Sequence, residues 1–293
     1  MSDLLLVTGA TGPTGRAAVQ ELRKVGARVR AFVHADDARA DALRDLGAEV
    51  VVGDLLDLAA VRAATKDVTA AYFVYPIRSG LIDATAYFAQ AASEAGVKAI
   101  VNMSQISARS DAKSNAARQH WVSERLLDRS GVPVVVHLRP TFFAQWLLYF
   151  GRGNKIASTG VIELPFGEGR HAPIAAEDQA RFIAAVLRDP APHAGKTYPL
   201  YGPVEMNHHE IAALVGKVLG RPITYTPQSI PDFKAQLESQ RAPQHLIQHL
   251  GEVAQDYQDG IFAGTNDVIE RVTGRAPLTV SEFVELHRAE FSA

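Results

Sequence analysis

The sequence has 293 residues, of which 47% are apolar and 21% charged, with 30 basic and 32 acidic side chains and a formal net charge of -2. This length allows one large domain or two small ones with a buried core. The balanced charge argues against a nucleic-acid-binding face, and the absence of cysteine excludes disulfides and thiolate chemistry. No apolar run approaches the roughly 18 residues of a membrane span. No secretory signal precedes the first apolar run, so we expect a cytoplasmic protein without membrane partners.

Short apolar runs and helical patterns alternate through the first half of the chain. The apolar runs, which have the composition of buried strands, cover residues 4–8, 28–34, 49–52, 70–74, 98–103 and 132–138. The helical patterns between them cover residues 15–25, 38–46, 58–64, 84–95 and 117–129. Strands that are apolar throughout and alternate with helices are typical of a parallel sheet covered on both faces. We therefore predict an α/β fold with a Rossmann-type doubly wound parallel sheet.

The pattern changes after Pro140, where glycine and proline become frequent. Further helices are predicted at residues 175–188, 207–219 and 282–291. We interpret residues 1–150 as the Rossmann domain, to which the helix at 175–188 returns. Residues 151–293 are interpreted as a smaller C-terminal α/β lobe that binds the substrate.

A glycine-rich turn joins the first strand to the first helix. Its sequence is Gly9-Ala10-Thr11-Gly12-Pro13-Thr14-Gly15. The first glycine permits a sharp turn, the second lets a pyrophosphate approach the main chain, and the third lets the helix pack closely on the sheet. The amino end of the helix then attracts the anion. The arrangement predicts dinucleotide binding, and the alternative is a glycine-rich turn that binds no ligand.

The residues after the second strand predict which nicotinamide coenzyme is bound. NAD-dependent proteins usually carry an acidic residue at the end of this strand, whereas this strand ends at His34. His34 and Arg39 supply positive charge for a 2′-phosphate, and Asp36 and Asp37 are typical of a helix cap. The sequence therefore favours NADP(H) over NAD(H). Asp54, after the third strand, either bonds the adenine amine or caps a turn.

Segments distributed along the whole chain together resemble the NmrA-like family of atypical short-chain dehydrogenase/reductases. Besides the glycine turn they are Gly53–Leu55, His120–Arg125, Leu138–Phe143, Ile174–Asp178, Gly195–Tyr198 and Leu278–Phe283. The resemblance implies either an NAD(P)H-dependent reductase of quinones, dyes and related electrophiles, or a redox-sensing regulator that binds the coenzyme without turnover. It also implies coenzyme contacts beyond the glycine turn and the second strand, at Asp54, Leu55, Val74, Tyr75, Pro76, Ser104, His120, Pro140, Thr141, Phe142 and Phe143.

The tyrosine–lysine pair that donates a proton in the wider superfamily of reductases is missing from the sequence. None of the 8 tyrosines is followed by lysine at the fourth position, which argues against alcohol–ketone chemistry and sugar epimerisation. His120 and Glu124 share one face of a predicted helix, so we expect Glu124 to orient His120, which titrates near neutrality. Ser104 follows the fifth strand at the ligand-binding end of the sheet. These three are the candidate catalytic residues. The alternative for His120 and Glu124 is a partly exposed helical pair without a catalytic role, and the alternative for Ser104 is a cap.

An aromatic cluster follows the sixth strand. It comprises Phe142, Phe143, Trp146, Tyr149 and Phe150. The cluster is either core packing or a flat wall for an aromatic substrate. Quinone-like electrophiles accept hydride readily and take their proton from water, so a protein without the tyrosine acid can still reduce them. We therefore predict hydride transfer to a small aromatic or quinone-like substrate by a monomer or homodimer, and the alternative is a non-catalytic NADP-binding redox sensor.

Other histidine and serine patterns are not expected to form sites. His245 and His249 have helical spacing but lack a third converging ligand, which favours a surface helix over a metal site. His208 and His209, at the start of a predicted helix, are interpreted as surface residues. The G-x-S-x-G motif is absent, which excludes a serine hydrolase of that type.

Overall fold

The computed structural model of the protein describes residues 3–149 and 155–291. The strands are β1 (Leu4–Val7), β2 (Arg28–Val33), β3 (Glu49–Val52), β4 (Ala70–Phe73), β5 (Ala99–Met103), β6 (Val134–Pro140), β7 (Val161–Leu164), β8 (Thr197–Leu200) and β9 (Thr224–Pro227). The helices are α1 (Pro13–Lys24), α2 (Ala38–Asp45), α3 (Leu58–Thr65), α4 (Leu81–Glu94), α5 (Asn115–Asp128), α6 (Trp146–Tyr149), α7 (Lys155–Thr159), α8 (Ala176–Arg188), α9 (His208–Leu219), α10 (Ile230–Ser239), α11 (Gln244–Gln258), α12 (Val268–Thr273) and α13 (Val280–Leu286). Among the described residues, no helix combines the length and the apolar composition needed to cross a membrane.

The chain divides into two compact units. The first unit comprises Met1–Ala112, Ala116–Arg139 and Gln179–Tyr198. The second unit comprises Lys113–Asn115, Pro140–Asp178 and Pro199–Ala293. Most of α8 therefore belongs to the first unit, although it follows a long segment of the second.

The larger sheet has seven strands in the order β3-β2-β1-β4-β5-β6-β8. Neighbouring strands from β3 through β6 pair in parallel. Every residue of β1, β4 and β5 is buried, which explains why these runs are apolar apart from Asn102. The strand order reverses between β1 and β4, and ligands of such sheets bind at the carboxyl ends of the strands that flank this switch point. The predicted Rossmann-type fold is confirmed.

The first unit holds its core between the sheet and helices α3 and α4. Phe73 on β4 and Phe88 on α4 are fully buried there, with their ring centroids 4.6 Å apart. Helix α4 begins at Leu81, three residues earlier than predicted, because Gly80 adopts a φ of 101° and so forms the turn that starts the helix. Strand β6 has the predicted length but begins and ends two residues later, so that it runs to Pro140.

The second unit contains a two-stranded parallel sheet of β7 and β9, with Ile162 opposite Tyr225. Helix α9 starts at a capping box of Asn207 and Glu210 and ends at Gly220, whose φ is 70°. Helices α10 and α11 share a small apolar cluster around Phe233. The sequence patterns did not predict strands β7, β8 and β9 or helices α10, α11 and α12, since each is short or carries many polar residues.

Candidate functional site

The glycine turn of the first unit has the geometry that its sequence predicts. Gly9 has a φ of 55°, which favours glycine, and a Cβ there would lie 2.7 Å from Cγ1 of Val74. A Cβ on Gly15 would overlap the carbonyl oxygen of Gly9. The first and third glycines are therefore required by the turn and by the close packing of α1 on it.

The amino end of α1 carries no side-chain cap from the described residues. Gly12 occupies the cap position in an extended conformation, with Pro13 beginning the helix. Thr14 does not cap the helix, since its hydroxyl forms a buried hydrogen bond of 3.0 Å with the Tyr72 hydroxyl. Thr11 is half-buried at the same turn. A helix start that lacks a side-chain cap presents main-chain amides and the positive end of the helix dipole to an anion.

The residues after β2 form exposed ion pairs. Asp37 caps α2 by accepting from the Arg39 amide, as predicted, and also binds the Arg39 guanidinium. His34 lies at the end of β2 with its Nδ1 3.6 Å from a carboxylate oxygen of Asp54. Exposed pairs of this kind are weak, so the side chains of His34 and Arg39 remain accessible to a phosphate.

Asp54 follows β3 and accepts a hydrogen bond of 2.9 Å from the Leu56 amide. It therefore caps a turn, one of the two roles considered for it, while its other oxygen faces His34. Arg78, which the sequence pattern did not single out, lies 3.7 Å from Asp54. Leu55, which follows Asp54 in the chain, is buried.

The segment after β4 is held against β1 by Thr8. The Thr8 hydroxyl accepts from the Val74 amide at 2.9 Å. Tyr75 is buried, and its hydroxyl donates to the Ser79 carbonyl at 2.9 Å. Pro76 is exposed. Val74 thus lies at the switch point beside Gly9, whereas the side chain of Tyr75 belongs to the core.

Ser104 and Glu124 form a buried cluster with Arg139. The Glu124 side chain is fully buried, and its carboxylate accepts from the Ser104 hydroxyl at 2.7 Å and from two Arg139 nitrogens at 2.8 and 2.6 Å. Arg125 adds a contact at 3.2 Å. Burial alone would raise the pKa of Glu124, but the hydrogen bonds from Arg139 and Ser104 lower it below its ordinary value.

His120 differs from the expectation in two respects. Its Nδ1 is buried without a hydrogen-bond partner among the described residues, so Glu124 does not orient it through a hydrogen bond. Burial lowers the pKa of His120 to about 4, although the charge of Glu124 opposes this effect. The ring is therefore neutral at pH 7, and the expectation that it titrates near neutrality is wrong.

The residues from Pro140 to Phe143 open the second unit. Pro140 is buried, and Thr141 donates from its hydroxyl to the Phe262 carbonyl at 3.3 Å. Phe142, Phe143 and Trp146 line a cavity within this unit. The Tyr149 side chain and Phe150, the other two members of the aromatic cluster, lie outside the described residues.

A polar chain that sequence reasoning missed lies beside this cavity. The buried Tyr257 hydroxyl contacts Nδ1 of His171 and, at 3.3 Å, Nδ1 of His208. The interpretation of His208 as a surface residue is wrong, because the ring is buried and lines the cavity, whereas the neighbouring His209 is exposed. His171 and Tyr257 are 86 residues apart, so no local pattern could have joined them.

The remaining histidine pair also departs from the prediction. His249 is buried on α11, and its Nδ1 lies 2.8 Å from the Ser114 hydroxyl, so this face is not a surface. His245 is half-buried on the same helix. Within residues 3–149 and 155–291, no group of three or more histidine, aspartate or glutamate side chains is placed to hold a metal ion.

The first unit fits a dinucleotide on its own geometry. A Cβ at Gly15 would fill the turn, the start of α1 has no side-chain cap from the described part of the chain, and a buried nitrogen of His120 lacks a protein partner. These observations match an anion-binding turn, together with a buried polar group in the same unit that has no partner in the protein.

Comparisons with known proteins cover the full length of the chain. The sequence model of the NmrA-like family matches residues 1–285. The NAD(P)H azoreductase of Xenophilus azovorans is 29% identical over 290 residues, which cover 99% of this chain and 100% of the relative. Quinone oxidoreductase 2 of Escherichia coli strain K12 is 28% identical over 284 residues, which cover 96% of this chain and 97% of the relative. The crystal structure of NADPH-dependent quinone oxidoreductase QOR2 from Escherichia coli with NADPH has a TM-score of 0.82 at 27% identity, over 97% of this chain and 99% of that chain.

Proposed function

The chain belongs to the NmrA-like family, and from that premise we propose that it is an NADP(H)-dependent reductase of small aromatic or quinone-like electrophiles. The observation that carries the proposal is the amino end of α1, where the glycine turn presents main-chain amides without a capping side chain. Two relatives of matching length, an NAD(P)H azoreductase and a quinone oxidoreductase, support the same reaction class.

The first unit supplies the residues that would hold the coenzyme. The turn from Gly9 to Gly15 would hold the pyrophosphate, and Asp54, Val74, Ser104 and His120 would contact the rest of the molecule. His34 and Arg39 favour a 2′-phosphate, because the acidic residue that would bind a 2′-hydroxyl is absent from the end of β2. When bound, the reduced nicotinamide supplies a hydride.

The residues beyond the turn bind and position rather than donate protons. Glu124 is engaged by Arg139 and Ser104, so it fixes the Ser104 hydroxyl at the carboxyl end of β5. His120 is neutral at pH 7 and offers a hydrogen bond to the coenzyme instead of an acid. No tyrosine is paired with lysine at the fourth position, so the proton that completes reduction of a quinone to a hydroquinone comes from water.

The second unit binds the electrophile. Its cavity is lined mainly by apolar and aromatic side chains, as small-molecule sites usually are. Phe142 and Phe143 provide aromatic rings for stacking against a planar substrate.

The test is to incubate the purified protein with NADPH or NADH and a panel of quinones and azo dyes, following the loss of reduced coenzyme. We expect consumption that depends on the electrophile and is faster with NADPH. No consumption with any electrophile, together with unequal affinity for reduced and oxidised coenzyme, would overturn the reductase and favour the redox sensor. Faster consumption with NADH would overturn the coenzyme preference alone.

A further inference from the structure

Two histidine rings stand out on the wall of the cavity in the second unit. Most of that wall is apolar, with Phe142, Trp146 and Phe166 among its aromatic residues. His171 and His208 also line it, although both are almost fully buried at 3% and 4% exposure. Their rings stack with centroids 5.4 Å apart. Buried polar rings in an apolar wall are costly unless they are hydrogen-bonded.

Tyr257 supplies the hydrogen bonds of both rings from behind the cavity. It is not one of the cavity residues, and its fully buried ring stacks on Phe166 with centroids 4.3 Å apart. Its hydroxyl contacts Nδ1 of each histidine. Within the described part of the chain, neither ring has another hydrogen-bond partner, and neither Nε2 is among the polar atoms sealed from solvent without one. Each Nε2 therefore meets open space.

The single hydrogen of the Tyr257 hydroxyl determines the tautomers of the two rings. A hydroxyl donates one hydrogen bond and accepts others, and a neutral imidazole carries hydrogen on one nitrogen only. We assign the hydroxyl hydrogen to the bond with His171, because the contact with His208, at 3.3 Å, lies at the weak limit of a hydrogen bond. Tyr257 thus donates to His171 and accepts from His208, which leaves hydrogen on Nε2 of His171 and a lone pair on Nε2 of His208.

Burial keeps both rings neutral. It lowers the pKa of His171 well below its ordinary value and lowers the pKa of His208 to about 3. The pKa of each ring is lowered further by the charge of a neighbouring histidine, His208 for His171 and His209 for His208. The cavity therefore presents a neutral N–H donor rather than a cation at pH 7.

Resting on the proposed function, we propose that His171 is the specificity-determining residue of this cavity and binds a ring carbonyl oxygen of the substrate through its Nε2–H. The aromatic wall selects a planar ring, and the donor selects ring systems with an acceptor on their edge over hydrocarbons of the same shape. Tyr257 is a positioning residue, because it fixes the tautomer of His171 without lining the cavity.

The test measures binding by calorimetry without coenzyme, using 1,4-naphthoquinone and naphthalene as probes. The chain contains no cysteine, so thiol addition to the quinone does not interfere. We expect His171→Phe to weaken naphthoquinone binding about tenfold, the size of one hydrogen bond, while naphthalene binding changes less than about twofold. His171→Gln, whose amide places an N–H donor near the position of Nε2, is expected to recover most of the affinity.

Tyr225→Phe is the matched control. It removes a buried hydroxyl of the same unit that donates to the Leu164 carbonyl. This variant is expected to retain naphthoquinone affinity within about threefold, less than the value of one hydrogen bond. Equal losses of naphthoquinone affinity in His171→Phe and Tyr225→Phe, or a parallel loss of naphthalene binding in His171→Phe, would overturn the proposal.

The same variants separate this proposal from the proposed function. With NADPH present, His171→Phe should raise KM for the quinone about tenfold and leave the coenzyme affinity unchanged. Turnover of the wild type with unaltered KM in His171→Phe would contradict the role of His171 alone. Selective quinone binding without any coenzyme consumption would contradict the reductase alone.

Discussion

Both units contain a buried polar cluster that the sequence did not reveal. Glu124 binds Arg139 and Ser104 in the first unit, and Tyr257 binds His171 and His208 in the second. The first cluster contains the charged Glu124 carboxylate, and both of its oxygens accept hydrogen bonds from neighbouring side chains. The second is neutral and satisfies only the Nδ1 side of each ring. A buried charge tolerates no missing partner, whereas a neutral chain can leave a donor for a ligand. The first cluster therefore suits a structural role and the second suits recognition.

The largest expected effect comes from breaking the charged cluster. Arg139→Met leaves the Glu124 carboxylate buried without its main partner and is expected to lower the free energy of unfolding by about 3 kcal/mol. Urea denaturation followed by circular dichroism measures the loss. Arg62→Met removes the partner of the exposed Glu94 by the same exchange, and it should lower the free energy of unfolding far less, because solvent screens exposed pairs.

Two further results would sharpen this prediction. Adding Glu124→Leu to Arg139→Met should restore most of the stability, since an apolar replacement of a buried pair is often nearly neutral. The loss of stability in Arg139→Met should shrink in acid. Without Arg139, burial outweighs the remaining hydrogen bond from Ser104 and raises the pKa of Glu124, so the carboxyl takes up a proton. Equal small losses at Arg139 and Arg62 would contradict the contrast between buried and exposed pairs.

The neutral cluster predicts a loss of stability in weak acid. Because the pKa of His208 is lowered to about 3 in the folded state, the unfolded state binds more protons below about pH 6.5. The contribution of the neutral His208 ring to the free energy of unfolding is complete above that pH and declines as the pH falls. Between pH 7 and pH 5 the free energy of unfolding should fall by about 2 kcal/mol less in His208→Phe than in the wild type. Identical pH dependence of the two proteins would show that His208 is not held neutral.

The smallest expected effect comes from a buried polar group that belongs to neither cluster. Gln179 on α8 is fully buried, and neither end of its amide has a hydrogen-bond partner among the described residues. Gln179→Leu should raise the free energy of unfolding by about 1 kcal/mol. Gln145→Leu removes a buried amide that is bonded to Glu177 and Ala176, and it should lower the free energy of unfolding by a similar amount. A change of the same sign in both variants would contradict this prediction.

The first unit could be predicted largely from local sequence. Parallel strands buried on both faces must be apolar along their length, so β1 to β6 were found within a few residues of their bounds. The glycine turn was also predictable, since the conformation of Gly9 and the tight packing of Gly15 are local requirements. Helix starts were less accurate where a single glycine sets them, as Gly80 does for α4.

The polar clusters could not be predicted, because their members meet only after folding. The helical spacing of His120 and Glu124 suggested a pair, but Glu124 instead binds Arg139, which reaches it from β6. His208 was interpreted as a surface residue together with its neighbour His209. Consecutive helical residues point in different directions, however, and of the two only His208 faces the core. Short, partly polar elements such as β9 carry too weak a pattern to be recognised.

The central claim is that main-chain amides at the start of α1 hold the pyrophosphate of NADP(H). Calorimetric titration of NADPH into the wild type and Gly12→Ala tests it most directly. Gly12 has a φ of -80°, which alanine adopts without strain, and the added Cβ would lie 3.2 Å from the Gly9 oxygen, so the fold should be kept. We expect the wild type to bind NADPH and Gly12→Ala to bind it at least about tenfold more weakly, with a free energy of unfolding within about 1 kcal/mol of the wild type. No binding heat with the wild type, or equal affinity in both proteins, would contradict the claim.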